Sequence, residues 1–303
     1  MHSFQFRSGK KLLELIAKTG KETIADVVLE AEQELTGHAR AEIFANMQRR
    51  LQVMRDAVAQ GRDNPRTSKS GMIGGDAKKM SELSGQELFL SEVMRRASEY
   101  ALGIMESNAR MGKIVAAPTA GSSGIIPGGI LAVQECFTLS EEKAVEGLLT
   151  AAAVGIIIGS ISTFSAAKAG CQAEVGASAA MAAAALSAMR GLSPERCLNA
   201  SAIALKNLLG LACDPIGGLV EVPCVKRNAI GITHAMTASD MSLAGITSIV
   251  PFDEVVEAMN SIAESMHENI RETARGGLAV SPTARRVVAQ MRERRMAKKA
   301  GLS

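Results

Sequence analysis

Tryptophan is missing from this chain of 303 residues, and its aromatic set is one Tyr and seven Phe. That scarcity excludes a core built on large aromatics, and the basic stretch 284–301 has no aromatics interleaved for stacking nucleic-acid bases. Charge of one sign is also short: 34 Lys and Arg face 31 Asp and Glu, a net +3. A field that small does not imply a nucleic-acid partner. The N-terminal MHSFQFRSGKKLLELIAK lacks the long apolar core of a secretory leader, so none is expected. There is no GxxxxGK[ST] and no complete GxGxxG after a strand, which disfavours a nucleotide site.

Cysteine is present without a pairing pattern. The five, Cys136, Cys171, Cys197, Cys213 and Cys224, are odd in number, form no CxxC and do not space as a disulfide framework. The reading is a cytoplasmic protein. A membrane span is not expected. The best candidate, GLLTAAAVGIIIGSIS (147–162), falls short of the ~20 residues needed and has no aromatic or basic anchors, so it reads as a buried core helix.

What the chain does have is small and flexible apolar side chains. Apolar residues make up 47 %, dominated by Ala, Met, Leu and Ile. Ala, Leu and Met favour helix, and small residues let helices approach closely. The expected fold is all-α, one compact helical domain over 71–303 preceded by an N-terminal helical extension over 1–70. Apolar residues recur three and four apart through 9–60, a polar Gly-containing loop covers 61–79, and a long helical pattern follows over 84–110. APTAGSSGIIPGG (117–129) is the sharpest break in the chain. Helices are then expected near 129–137, 141–158, 172–190, 194–209, 225–245, 253–272 and 282–298. Ser140 in SEEK and Ser193 in SPER are good caps for two of them. The basic stretch 284–301 reads either as a solvated terminal helix or as a phosphate-binding tail.

Three cysteines stand apart. Cys136 and Cys197 lie within helical patterns and read as buried small hydrophobes. Cys171, Cys213 and Cys224 sit beside Gly or Pro at breaks between helices, in AGCQ, LACDP and VPCVK, where a scaffold can present thiolates to one point. Each alone is open to the structural reading; together they suggest one metal site. Three thiolates on a four-iron cluster leave one iron without a protein thiolate, and such an iron can act as a Lewis acid. The stretch PTAGSSG reads either as a turn or as an anion nest, with Thr119, Gly121, Ser122 and Ser123 offering N–H and hydroxyl groups to a substrate carboxylate. Lys226, Arg227 and Asn228 follow Cys224 directly, as a solvated helix start or as charge facing the site. His2, His38 and His267 have polar surroundings, and His234 is either a satisfied core histidine or a base. No Ser–His–Asp or Cys–His arrangement is apparent.

APTAGSSGIIPG, GCQAEVG, LKNLLGLACDPIGGLVEVPCVKRNA and RETARGGLA, in this order, resemble the alpha chain of the bacterial iron–sulfur L-serine dehydratases, over about Gly71 to Thr283. The resemblance implies an all-helical lyase that converts L-serine to pyruvate and ammonia in amino-acid degradation and gluconeogenesis. It implies a [4Fe–4S] cluster on Cys171, Cys213 and Cys224, no pyridoxal phosphate, a separate beta chain and an oligomeric assembly. Lys168, Lys226 and Asn228 are candidates for a catalytic part, with the base unassigned. Ile161, Phe164 and Lys168 depart from the family's pattern before the first cysteine, so the substrate is left open to a related amino acid such as threonine or cysteine. The end KKAGLS lacks the terminal cysteine of some single-chain relatives. A helical interaction protein with merely buried cysteines is the non-enzymatic alternative.

Overall fold

The computed structural model describes residues 4–64, 66–83 and 88–299. His2 and the end 300–303 lie outside them, as do residues 84–87 at the start of the long helical pattern. Thirteen α-helices are formed among the described residues: α1 Gly9–Thr19, α2 Ile24–Thr36, α3 Arg40–Asp63, α4 Asp76–Ser81, α5 Glu92–Ala109, α6 Ile125–Cys136, α7 Glu141–Ile161, α8 Ala166–Ala169, α9 Ala177–Met189, α10 Pro194–Lys206, α11 Cys224–Leu243, α12 Phe252–Ser265 and α13 Pro282–Lys299. No strand appears among them, only a single bridge between Cys213 and Arg271. The fold is all-α.

The composition explains the centre of the molecule. Helix α9, ASAAMAAAALSAM, is buried on every side. Ala side chains lose little rotamer entropy in a helix and keep the cylinder thin, so α6, α7, α10 and α11 all pack against it. Phe6, just ahead of α1, and Leu12, Val27 and Leu51 from the N-terminal helices join the same apolar core as Ile130, Ile157 and Leu205. Helix α7 is the one described helix long and apolar enough to cross a membrane, and 61 % of its most apolar window is buried against its neighbours.

Ser140 and Ser193 accept hydrogen bonds from Lys143 N–H and Arg196 N–H, as capping requires. Several boundaries differ from the sequence reading, among them α5, which starts at Glu92 rather than near 84, and α4, which forms where part of the loop 61–79 was expected. Helix α6 starts at Ile125, not near 129, because Pro127 falls in the first turn, where its missing N–H is not needed. Residues 172–176 form one wide π turn ahead of α9. Helix α12 stops at Ser265, not near 272, because the chain beyond it pairs with the cysteine loop: Cys213 N–H donates to Ile270 O and Glu272 N–H donates to Cys213 O, both at 2.8 Å. Cys197 is buried as expected, but Cys136 is exposed at the C-terminal end of α6.

Candidate functional site

Cys171, Cys213 and Cys224 reach the site from three separate stretches. Cys171 immediately precedes the π turn that leads into α9. Cys224 is the first residue of α11. Unpaired N–H groups and the helix dipole favour a thiolate at a helix start. Cys213 comes from the loop after α10. All three thiols are buried. The sulfur atoms of Cys171 and Cys213 lie within 4.8 Å of each other and of a carboxylate oxygen of Glu174. Cys224 is close enough for its charge to act on Cys213 and for that of Cys171 to act on it.

The thiols are unequal. A hydrogen bond with Cys213 and the Arg227 guanidinium pull the Cys171 thiol below its usual range, against the opposing effect of burial. The same hydrogen bond, with burial, pushes Cys213 upward. Burial pushes Cys224 up to about 12. The Cys224 side is walled by Ile73, Ala77, Leu102, Met105 and Val225.

Glu174 is the carboxylate of the site. Burial holds it above the usual carboxylate range, opposed by a hydrogen bond from Thr119. Thr119 Oγ1 donates to Glu174 Oε1 at 2.6 Å, and the Ser122 hydroxyl lies 3.2 Å from Thr119 Oγ1. With the Thr119 proton on Glu174, Ser122 donates to Thr119. Thus the stretch read as a nest for a substrate carboxylate holds one of the protein's own. Gly121 fits the same purpose, since a Cβ there would meet both Glu174 oxygens at 3.2 Å. Ser123 is fully buried and donates to Ala120 O at 2.9 Å.

Two polar struts set the frame. Asn228 Oδ1 accepts from Gly124 N–H at 2.9 Å, while its Nδ2 donates to Gly121 O at 2.9 Å and Cys224 O at 2.8 Å. Fully buried, it fastens the Thr119 loop to the cysteine turn of α11. Arg227 donates to Ala212 O at 2.8 Å and to Asp214 Oδ1 at 3.1 Å, tying the Cys213 loop to the same helix. Asp214 Oδ2 in turn accepts from Leu278 N–H at 2.8 Å. Gly277, at φ 56°, leaves room for that bond; a Cβ there would stand 2.3 Å from Asp214 Oδ2.

The sequence has relatives among known proteins. The serine dehydratase alpha chain family matches residues 19–279. A probable L-serine dehydratase alpha chain of Bacillus subtilis is 46 % identical over 92 % of this chain and 93 % of its own length. The L-serine dehydratase alpha chain of Peptoniphilus asaccharolyticus is 42 % identical over 87 % and 91 %. This chain belongs to the serine dehydratase alpha chain family. Of the L-serine dehydratase of Streptomyces coelicolor, 37 % identical, it matches 61 % of the length.

In this serine dehydratase alpha chain, other residues singled out in the sequence lie outside the thiol group. Lys226 is half-exposed and ion-paired to Asp76 at 2.5 Å. Lys168 is exposed at the end of α8. His234 Nε2 donates to Ala204 O at 2.8 Å, the satisfied core arrangement. Phe164 lies against Gly159 of α7, and Ile161 O accepts from Asn260. Glu174 and Asp214 were in view in GCQAEVG and LACDP without a role. Glu174 stands three residues after a cysteine and Asp214 one, and that adjacency is the signal that could have found them.

Proposed function

We propose that Cys171, Cys213 and Cys224 hold a [4Fe–4S] cluster and that the chain removes water from L-serine, yielding pyruvate and ammonia. The observation that carries this reading is the meeting of the buried Cys171 and Cys213 thiols with the half-buried Glu174 carboxylate within 4.8 Å, the buried Cys224 thiol lying near enough for its charge to act on Cys213. The donor set fits the group: thiolates are the usual ligands of iron–sulfur clusters, and all three cysteines are buried and unpaired. Bound by three thiolates, such a cluster supplies an iron without a protein thiolate, a Lewis acid for the departing hydroxyl.

The chain's own residues do the rest. Glu174 takes the Cα proton, and the hydroxyl relay from Ser122 through Thr119 fixes the direction of its carboxylate. A base held in one orientation avoids the loss of about a hundredfold that ~1 Å of misplacement brings. Arg227 balances thiolate charge and holds the Cys213 loop in place. Loss of the proton and hydroxyl leaves aminoacrylate, which tautomerises to the imine and takes up water to release ammonia. A separate beta chain completes the enzyme, a role supported by relatives named as alpha chains that match this one along nearly their whole length. The cytoplasm suits it, since free thiols stay reduced there.

The test is anaerobic co-purification with the beta chain, followed by release of the 2-oxo acid from L-serine, L-threonine and L-cysteine in parallel (pyruvate from serine and cysteine, 2-oxobutanoate from threonine). Pyruvate from L-serine well above the products of the others supports the reading; no turnover of L-serine by the iron-loaded complex refutes it.

A further inference from the structure

The N-terminal helices take no part in the chemistry above, yet they frame a cavity. Helices α2 and α3 meet the stretch 115–118 and helices α6, α7 and α9 around a space of about 380 Å³. Neither Glu174 nor any cysteine is among its walls. Its floor is apolar and buried, with Val28, Ile43, Ile126 and Leu148. Met47, Met54 and Met181 line it as well, and such flexible thioethers adapt to an aliphatic or aromatic guest. A cavity of this size and lining takes a small organic molecule.

Two opposite charges stand at this cavity without an ion pair. Glu32 comes from α2 and Arg50 from α3. Among the described residues neither is paired with the other or with a further charge. Arg50 Nη1 has only Met47 Sδ, a weak acceptor, at 3.5 Å. Asn46, four residues before Arg50 on α3, adds an amide beside it. His38, the remaining titratable group there, has its Nδ1 3.0 Å from Glu42. A ligand carboxylate suits Arg50 and Asn46, and a ligand ammonium suits Glu32. Both charges on one molecule, joined to an apolar body for the floor, describe an α-amino acid. Serine does not fit, because its hydroxyl would meet hydrocarbon without a partner.

We infer that this cavity binds an α-amino acid with a large apolar side chain. Arg50 and Asn46 take its carboxylate, Glu32 takes its ammonium, and the floor takes its side chain. The site is separate from the thiols and stands whether or not the chain acts on serine.

The experiment is calorimetric titration of the full chain, purified anaerobically, with L-phenylalanine in the absence and presence of saturating L-serine. One molecule binds per chain with a Kd of roughly 0.1–1 mM, as about a dozen non-hydrogen atoms allow. Serine does not displace it. Glu32→Gln weakens L-phenylalanine about 5- to 30-fold and leaves 3-phenylpropanoate, which has no ammonium, unchanged. Arg50→Met weakens L-phenylalanine by about the same factor and leaves 2-phenylethylamine, which has no carboxylate, unchanged. Ala152→Leu fills the cavity from α7 and abolishes binding, with thermal unfolding confirming the fold. No binding of L-phenylalanine, its displacement by serine, or parental affinity in either charge variant each overturns the inference. The two charge variants alter surface-accessible side chains, so they report on the site even if the Leu variant does not fold.

Discussion

Asn228→Asp changes one atom type in the middle of the frame and almost nothing in volume. The oxygen that accepts from Gly124 N–H is kept, but the group that donates to Gly121 O and Cys224 O becomes an acceptor facing two carbonyls. In a fully buried site the carboxyl escapes this only by taking a proton, which raises its folded pKa above the ordinary ~3.9. Holding it protonated at about pH 7.5 costs up to about 5 kcal/mol, at about 1.4 kcal/mol per pH unit. The deficit is therefore full at neutral pH and shrinks as pH falls toward the unfolded value. Partial relaxation reduces it to about 3–5 kcal/mol, or roughly 6–10 °C in Tm for a chain of this size. Asn228→Ala, which leaves Gly124 N–H and Gly121 O unpaired, costs about 2–4 kcal/mol with no such slope. Thermal unfolding followed by helical circular dichroism at several pH values reads both. The reasoning fails if the Asp variant matches the unsubstituted chain at neutral pH, or if its deficit stays constant on acidification.

Thr119→Ala removes a hydrogen bond to a carboxylate, so kcat for serine should fall about 10- to 100-fold with iron content unchanged; unaltered kcat would show that Glu174 needs no such guidance. Gly277→Ala places a Cβ on Asp214 in a backbone conformation that disfavours side chains, and about 2–4 kcal/mol of stability should be lost. Equal Tm for that variant and the parent would mean the Asp214–Leu278 bond is dispensable. In the folded metal-free chain iodoacetamide should label Cys136, which is exposed, well before Cys197, whose thiol burial pushes up to about 12. Labelling of Cys197 at the rate of Cys136, read by peptide mass spectrometry, would contradict the burial.

How much of this was legible in the sequence depended on range. The all-α fold, the caps at Ser140 and Ser193 and the separation of Cys171, Cys213 and Cys224 from Cys197 follow from local pattern: periodicity, capping residues, breaks at Gly and Pro. The partner of Thr119 was not legible, because Glu174 is 55 residues away in sequence. Nor was the end of α12, since its pattern continues to 272 while pairing with Cys213 claims the backbone first. Asn228 was visible as a polar residue beside the site, but only the fold shows all three of its bonds going to backbone groups. Cys136 read as buried because its helix is apolar; it stands at the exposed last residue instead.

The central claim is that three thiols hold one cluster, and anaerobic iron and sulfide analysis of the purified chain tests it most directly. About four of each per chain are expected, with full content in Cys136→Ser and Cys197→Ser and severe loss in Cys171→Ser, Cys213→Ser and Cys224→Ser. A single metal ion per chain without sulfide, or full iron content in any of those last three variants, would contradict it.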